Sequence, residues 1–180
     1  VRDLTVSYDG RQIFPPLSLT IRPGERIALT GKNGSGKSSL LKLLTGEPIC
    51  YTGELTLPGR LVCSYVPQDT SHLTGSISGF AEQWAIPESL FKSILRSLGF
   101  ERVHLDKDIS SLSEGQKKKV LIAKSLCQQA HLYVWDEPLN YVDIYSRMQI
   151  EELILSFHPT MLFVEHDAAY CRKLATRTVA

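Results

Sequence analysis

The sequence predicts an α/β fold: a mostly parallel core sheet, a small antiparallel β layer and an inserted block of α-helices. Two observations carry this. Short apolar runs that read as buried strands alternate with helical patterns, which implies parallel pairing with any ligand at the carboxyl edge of the sheet. The N-terminal stretch instead shows two-residue alternation punctuated by turn signals, the mark of small antiparallel strands.

In chain order, Arg2 to Tyr8 and Leu17 to Arg22 alternate, with Asp9-Gly10 as the turn between them and Pro23-Gly24 after. Arg26 to Thr30 is an apolar run that reads as a buried strand feeding a glycine-rich loop, and Ser38 to Leu44 reads as the helix the loop opens. Gly53 to Leu57 is a further short strand before Pro58-Gly59, and Leu61 to Val66 returns to the core. A helical insertion follows Gln68. It is clearest at Pro87 to Gly99, where Leu90, Phe91, Ile94, Leu95 and Leu98 share a face, Pro87 suits N1 and Gly99 suits C′. Ser113 is a good N-cap for a helix from Glu114 through Gln129, with Val120, Ala123 and Cys127 on one face. Core strands at Leu132 to Trp135 and Met161 to Val164 bracket a helix from Ile144 to Phe157, whose Ile150, Leu153, Ile154 and Phe157 repeat at helical spacing. Thr178 to Ala180 reads as a last strand. The expected organisation is one domain over 1–180: an antiparallel layer at about 1–25 and 51–60, a helical insertion at about 70–112, and the core as the remainder.

Composition bounds the function classes. The chain of 180 residues is long enough for one domain with a sizeable core. No apolar run reaches the roughly twenty residues of a membrane-spanning helix, so no direct membrane insertion is expected. A net charge of +1 does not by itself argue for nucleic acid. Lys117-Lys118-Lys119 and Lys124 form a basic cluster that reads as a solvated helix face or, alternatively, as an RNA contact. Cys50, Cys63, Cys127 and Cys171 lack C-x-x-C spacing, so neither zinc nor a disulfide framework is expected, and reduced thiols in a cytoplasmic protein are the default. The chain starts at Val1, almost inside a strand, and reads as a piece of a longer polypeptide.

Chemistry concentrates in Gly31-Lys32-Asn33-Gly34-Ser35-Gly36-Lys37-Ser38, a complete G-x-x-x-x-G-K-[ST] loop. Gly31, Gly34 and Gly36 let the backbone turn tightly and aim its N–H groups inward, and the helix that follows turns its positive end toward the phosphates. Lys37 would reach the β- and γ-phosphates of a nucleotide and Ser38 would bind Mg²⁺; Asn33, Ser35 and Ser39, within or next to the loop, are taken as further ATP contacts. A carboxylate is needed on the metal, and Leu132-Tyr133-Val134-Trp135-Asp136-Glu137-Pro138 supplies one at a strand end. Asp136 falls where the metal-binding residue belongs and Glu137 where it could polarise the attacking water.

These motifs, in order along nearly the whole chain, resemble the ABC ATPases, a branch of the P-loop NTPases with a RecA-like core. The resemblance implies roles for other residues. Tyr8 would stack on adenine, Gln68 would touch Mg²⁺ or the water, and His166 would bond the γ-phosphate and orient the water with Glu137. Leu112-Ser113-Glu114-Gly115-Gln116 is similar to the family signature, whose Ser113 and Gly115 would contact the ATP held by a second ABC domain; Glu114 and Gln116 complete it. Glu114 departs from the commoner glycine. Asn140 and Asp143 would belong to the D-loop.

Glu137-Pro138-Leu139-Asn140-Tyr141-Val142-Asp143 further resembles the ABC-F branch, whose members carry two ATPase domains in one chain and act on the ribosome. The signature helix is similar to that of ABC-F antibiotic-resistance proteins, and the insertion is short for a transporter docking surface. The resemblance therefore implies one domain, taken as the C-terminal one, of an ABC-F ribosomal protection protein. Its partners would be a sister ABC domain and the ribosome with its rRNA. Three alternatives stay open: a membrane-transporter ATPase subunit, an ABC-F translation factor without a resistance role, and a module that closes on ATP with weak turnover when isolated.

Overall fold

A computed structural model of the chain describes residues 1–8 and 11–180; the turn expected at Asp9-Gly10 lies outside the described residues. In order, the elements are β1 (Arg2–Tyr8), β2 (Arg11–Gln12), β3 (Arg26–Leu29), α1 (Lys37–Leu44), β4 (Tyr51–Glu54), β5 (Cys63–Val66), α2 (Ile77–Gln83), α3 (Glu88–Ser97) and α4 (Arg102–Leu105). After a 3₁₀ turn at Ile109–Ser111 come α5 (Glu114–Cys127), β6 (Leu132–Asp136), α6 (Ile144–Phe157), β7 (Met161–Val164), α7 (Ala168–Leu174) and β8 (Arg177–Val179). The chain forms two compact units. One comprises Val1–Tyr65, Ala130–Asp136 and Pro159–Ala180, the other Val66–Gln129 and Glu137–His158.

The first unit is built on a five-stranded sheet of order β5-β6-β7-β3-β8. Its β3–β7, β3–β8 and β6–β7 pairs are parallel. Every residue of β3 and β7 is buried, as parallel strands in the middle of a sheet require. Leu40, Leu41, Leu43 and Leu44 of α1 join Ile27, Leu29, Val134, Leu162 and Val164 in one core, with Leu4 and Val6 of β1. A separate antiparallel sheet has the order β2-β1-β4.

Two expected strands differ. Among the described residues, Leu17 to Arg22 makes only an isolated bridge, Leu4 with Leu17. Asp3 is the cause: it adopts φ +45°, the β1–β4 register slips between Arg2 and Thr5, and the Asp3 N–H turns to the Ser18 hydroxyl at 2.9 Å. The ladder is thereby interrupted between the Leu4–Leu17 pair and the bonds joining Val1 to Leu19. Gly53 lies opposite the slip, where a Cβ would fall 2.3 Å from the Asp3 carbonyl oxygen. The strand expected at Gly53 to Leu57 is β4, Tyr51–Glu54, because its partner β1 ends at the Arg2–Glu54 pair and leaves 55–57 nothing to pair with.

The second unit is helical. Ser76 caps α2 by accepting from the Gly79 N–H (3.0 Å), and Phe80 of α2 stacks on Phe91 of α3 with ring centroids 5.9 Å apart. Pro87 is the N-cap of α3 and not its N1, being extended at φ −56°, ψ 121°. Gly99, at φ +70°, follows the C-cap as expected. The buried face of α3 is narrower than its periodicity suggests: Phe91, Leu95 and Leu98 are buried, Ile94 is half-buried and Leu90 is exposed. On α6, likewise, Ile150 and Ile154 are buried while Phe157 is exposed.

Helix α5 stops at Cys127, before the expected Gln129, because Gln128 is extended. It is buried continuously from Lys118 to Ser125, which overturns both readings of its lysines. Lys117 pairs with Glu114 (3.1 Å), and Lys118 donates to the Pro67 carbonyl (2.8 Å). Lys119 pairs with Asp143 (2.6 Å), and Lys124 lies over the Trp84 ring, 4.1 Å from its centroid. The basic run is neither a solvated face nor an RNA surface. Burial pushes the Lys124 ammonium down to about 8. No helix among the described residues is long and apolar enough to cross a membrane.

Candidate nucleotide-binding site

In the first unit the glycine-rich loop joins β3 to α1 at the carboxyl edge of the parallel sheet. Gly36 is the N-cap of α1 in the left-handed region at φ +86°, and a Cβ there would come within 2.6 Å of both Ile13 Cγ2 and Phe14 Cδ1. Only glycine meets both demands. Gly31 and Gly34 also have positive φ. The Lys37 ammonium donates to the carbonyls of Gly31 (3.0 Å) and Lys32 (2.9 Å), which holds it at the loop itself. Asn33 is exposed on the loop, and the Ser35 N–H closes it onto the Lys32 carbonyl at 3.2 Å. Ser38 and Ser39 are half-buried in the first turn of α1. Tyr8, exposed at the end of β1, donates its hydroxyl to Ser39 Oγ at 3.2 Å, so its ring stands beside that turn.

A cavity of about 280 Å³ is lined by Gly31, Lys37, His166, Glu165 and Arg172 among others, which brings His166 to the glycine-rich loop. His166 follows β7, and its N–H donates to the Glu165 carboxylate at 2.8 Å. Asp167 then caps α7 by accepting from Ala169 and Tyr170, a helix whose start was signalled by that aspartate yet not anticipated. Asp136 ends β6, 1% exposed. Burial, followed by the Asp136 and Glu47 carboxylates, pushes the Tyr65 hydroxyl well above its usual range. A buried carboxylate is costly without cationic or hydrogen-bonding compensation. The Asp136 carboxylate and Ser38 hydroxyl are hard oxygen donors of the kind Mg²⁺ takes, one or two from protein and the rest from phosphates and water. The residues present fit that ion.

The second unit holds the other expected residues. Glu137 has φ +47°, and its Oε2 accepts from Gln68 Nε2 (3.0 Å) and Asn140 Nδ2 (2.6 Å). Ser113 and Gln116 form a reciprocal capping box at the start of α5, with bonds of 3.3 and 3.0 Å. Glu114 accepts from the Thr70 hydroxyl and from Lys117, and the two hold its carboxyl below the usual range. Gly115 lies against the D-loop: a Cβ on it would be 2.2 Å from the Tyr141 carbonyl oxygen. Asp143 caps α6 through the Ser146 N–H at 2.9 Å. A polar cavity of about 290 Å³ is lined by Ser113, Gly115, Gln116, Tyr141, Asp143 and His104. Thr70, His104 and Lys119 were not anticipated. His104 carries no motif, whereas the place of Lys119 six residues after Ser113 was a usable signal.

A glycine-rich loop between a buried parallel strand and a helix, with a buried aspartate ending another parallel strand, defines a phosphate-loop ATPase domain. The chain belongs to the ABC family: the family model described as "ABC transporter" matches residues 14–140. Domains of this family bind and hydrolyse ATP and work in pairs, and this chain is an ATP hydrolase domain. YdiF of Bacillus subtilis is 33% identical over 187 residues, covering 99% of this chain and 29% of that protein. ABC transporter F family member 2 of Arabidopsis thaliana is 30% identical, with 99% and 27% covered. Ribosome protection protein VmlR of Bacillus subtilis is 28% identical, with 96% and 32% covered. The chain thus spans about a third or less of the length of these relatives. Among solved structures, an archaeal ribosome recycling factor in complex with a ribosomal stalk protein is similar at a TM-score of 0.68 and 28% identity, covering 88% of this chain and 32% of that one. An ATP-binding subunit of an ABC transporter shares the fold at a TM-score of 0.77 and 23% identity, with 99% and 83% covered.

Proposed function

We propose that this chain is one of two ATPase domains, the C-terminal one, of a cytoplasmic ABC-F protein that acts on the ribosome and protects it from antibiotics. The observation that carries the nucleotide site is the cavity shared by Gly31, Lys37 and His166, with the Tyr8 hydroxyl on Ser39 beside it. The ribosomal part is supported by the Glu137 to Asp143 stretch and by relatives named as F family and ribosome protection proteins.

In this reading Tyr8 stacks on adenine, and the loop from Gly31 to Ser39 takes the phosphates with Asn33, Ser35 and Lys37. Ser38 and Asp136, with Gln68, are the residues that would hold Mg²⁺, which when bound would supply positive charge to the phosphates. Glu137 polarises the attacking water, and His166 orients it. Ser113, Glu114, Gly115 and Gln116 serve the ATP of a sister domain, so the domain alone turns over weakly. Closure depends on nucleotide because the γ-phosphate contacts the two states differently. The antiparallel layer, the helical insertion and the RecA-like core divide this work.

The test uses the full-length protein. Glu137→Gln should retain ATP and stay on ribosomes in co-sedimentation, whereas Lys37→Ala should lose ATP affinity by about 10-fold or more. Wild-type turnover in the Glu137 variant refutes the catalytic assignment. Recovery in a membrane complex without ribosome binding would establish the transporter alternative.

A further inference from the structure

We infer that Asn140 is a positioning residue for the carboxylate of Glu137. The proposal rests on the reading of Glu137 as the group that acts on the attacking water.

Asn140 touches Glu137 at both ends. Its side-chain amide donates to Glu137 Oε2 at 2.6 Å, and its backbone N–H points at the Glu137 carbonyl at 3.5 Å. Glu137 needs such a hold because it lies at φ +47°, where a non-glycine residue persists only if its surroundings over-determine it. The turn that presents Asn140 is itself anchored. Leu139 and Val142 are buried, and Arg147 binds the carbonyls of both, through Nη2 to Leu139 (3.0 Å) and Nε to Val142 (2.9 Å). Tyr141, at φ +64°, lays its carbonyl over Gly115.

The second donor to the same oxygen differs in kind. Gln68 reaches Oε2 at 3.0 Å from 69 residues away in sequence, so its hold depends on where its loop stands. Asn140 is tied to Glu137 by three peptide links and moves with it. The chemistry also selects the residue type. A neutral amide donates to a carboxylate oxygen and sets its direction, an aspartate would bring a second carboxyl group beside it, and an alanine would remove this donor. Asn140 therefore holds the carboxylate through a contact that does not depend on where the Gln68 loop stands. Nothing in this role requires Asn140 to meet ATP.

The experiment compares steady-state ATP turnover, ATP affinity by fluorescent-nucleotide titration, and thermal midpoint in the full-length protein carrying Asn140→Ala, Asn140→Asp or Glu137→Gln. Asn140→Ala should lower kcat about 10- to 100-fold while KM and ATP affinity stay within about 2-fold, because misaiming costs the chemical step and not binding. Asn140→Asp should be slower still, because it sets a second carboxylate beside Glu137, again with KM and ATP affinity within about 2-fold of wild type. Unaltered kcat in Asn140→Ala overturns the inference, as does a kcat loss matched by equal losses of affinity and thermal midpoint. If Glu137→Gln keeps wild-type turnover, the reading of Glu137 fails first. If it is inactive while Asn140→Ala is unaltered, only the positioning role fails.

Discussion

The Lys119 ammonium on the signature helix and the Asp143 carboxylate at the start of α6 lie 2.6 Å apart. Lys119 is 9% exposed at its side chain and Asp143 53%, so the pair is sheltered from one side only. Partial burial pushes the Asp143 carboxyl up, but Lys119 and the Ser146 N–H and hydroxyl together outweigh it and hold the group well below the usual carboxylate range.

Asp143→Asn should therefore destabilise the protein by about 1–2 kcal/mol at pH 7, discounted from the cost of breaking a fully buried pair because the aspartate is half in water. The sign with pH follows from linkage. A depressed folded-state carboxyl contributes stability that is fully present above the unfolded value of about 4 and is lost as pH falls through the folded one. The difference in urea midpoint between wild type and Asp143→Asn should be constant from pH 8 to about 5 and shrink below about 4. A gap that persists unchanged into strong acid would remove the ionic account.

Gly115→Ala separates two reasons for a glycine inside a helix. By propensity alone, alanine at this position would stabilise α5 by about 1 kcal/mol. Yet its Cβ would sit 2.2 Å from the Tyr141 carbonyl oxygen, a backbone atom that can move only with the D-loop. Net destabilisation of about 1–3 kcal/mol in denaturant unfolding is expected, as for overpacking elsewhere. A rise in stability would show that the D-loop yields freely.

Legibility in the sequence followed the range of the interactions. The parallel strands and α6 were readable because a buried run such as Met161–Val164 is specified by its own composition. The phosphate loop was readable because positive φ at Gly31, Gly34 and Gly36 demands glycine in place. Leu17 to Arg22 misled because a strand needs a partner in register, and Asp3 breaks that register from fourteen residues away or more. The lysines of α5 misled for a related reason: they look solvated until Pro67 takes Lys118, Asp143 takes Lys119 and the Trp84 ring covers Lys124, all three partners distant in sequence. The amides of Gln68 and Asn140 were found as separate motifs, but nothing local says that they share one oxygen of Glu137.

The proposed stacking of adenine on Tyr8 can be tested by separating its ring from its hydroxyl. The hydroxyl bond to Ser39 is long at 3.2 Å and exposed, so it contributes little, about 0.5 kcal/mol. Stacking of a base on an aromatic ring contributes about 1–3 kcal/mol. Tyr8→Phe should therefore bind ATP within about 2-fold of wild type, while Tyr8→Ala should weaken it by about 10-fold in equilibrium titration. Because every base presents a π face, the alanine variant should lose GTP affinity by the same factor. An unaltered Kd for ATP in Tyr8→Ala would displace the ring from the site. A loss in Tyr8→Phe equal to that in Tyr8→Ala would move the contribution from the ring to the Ser39 bond, and with it the first turn of α1.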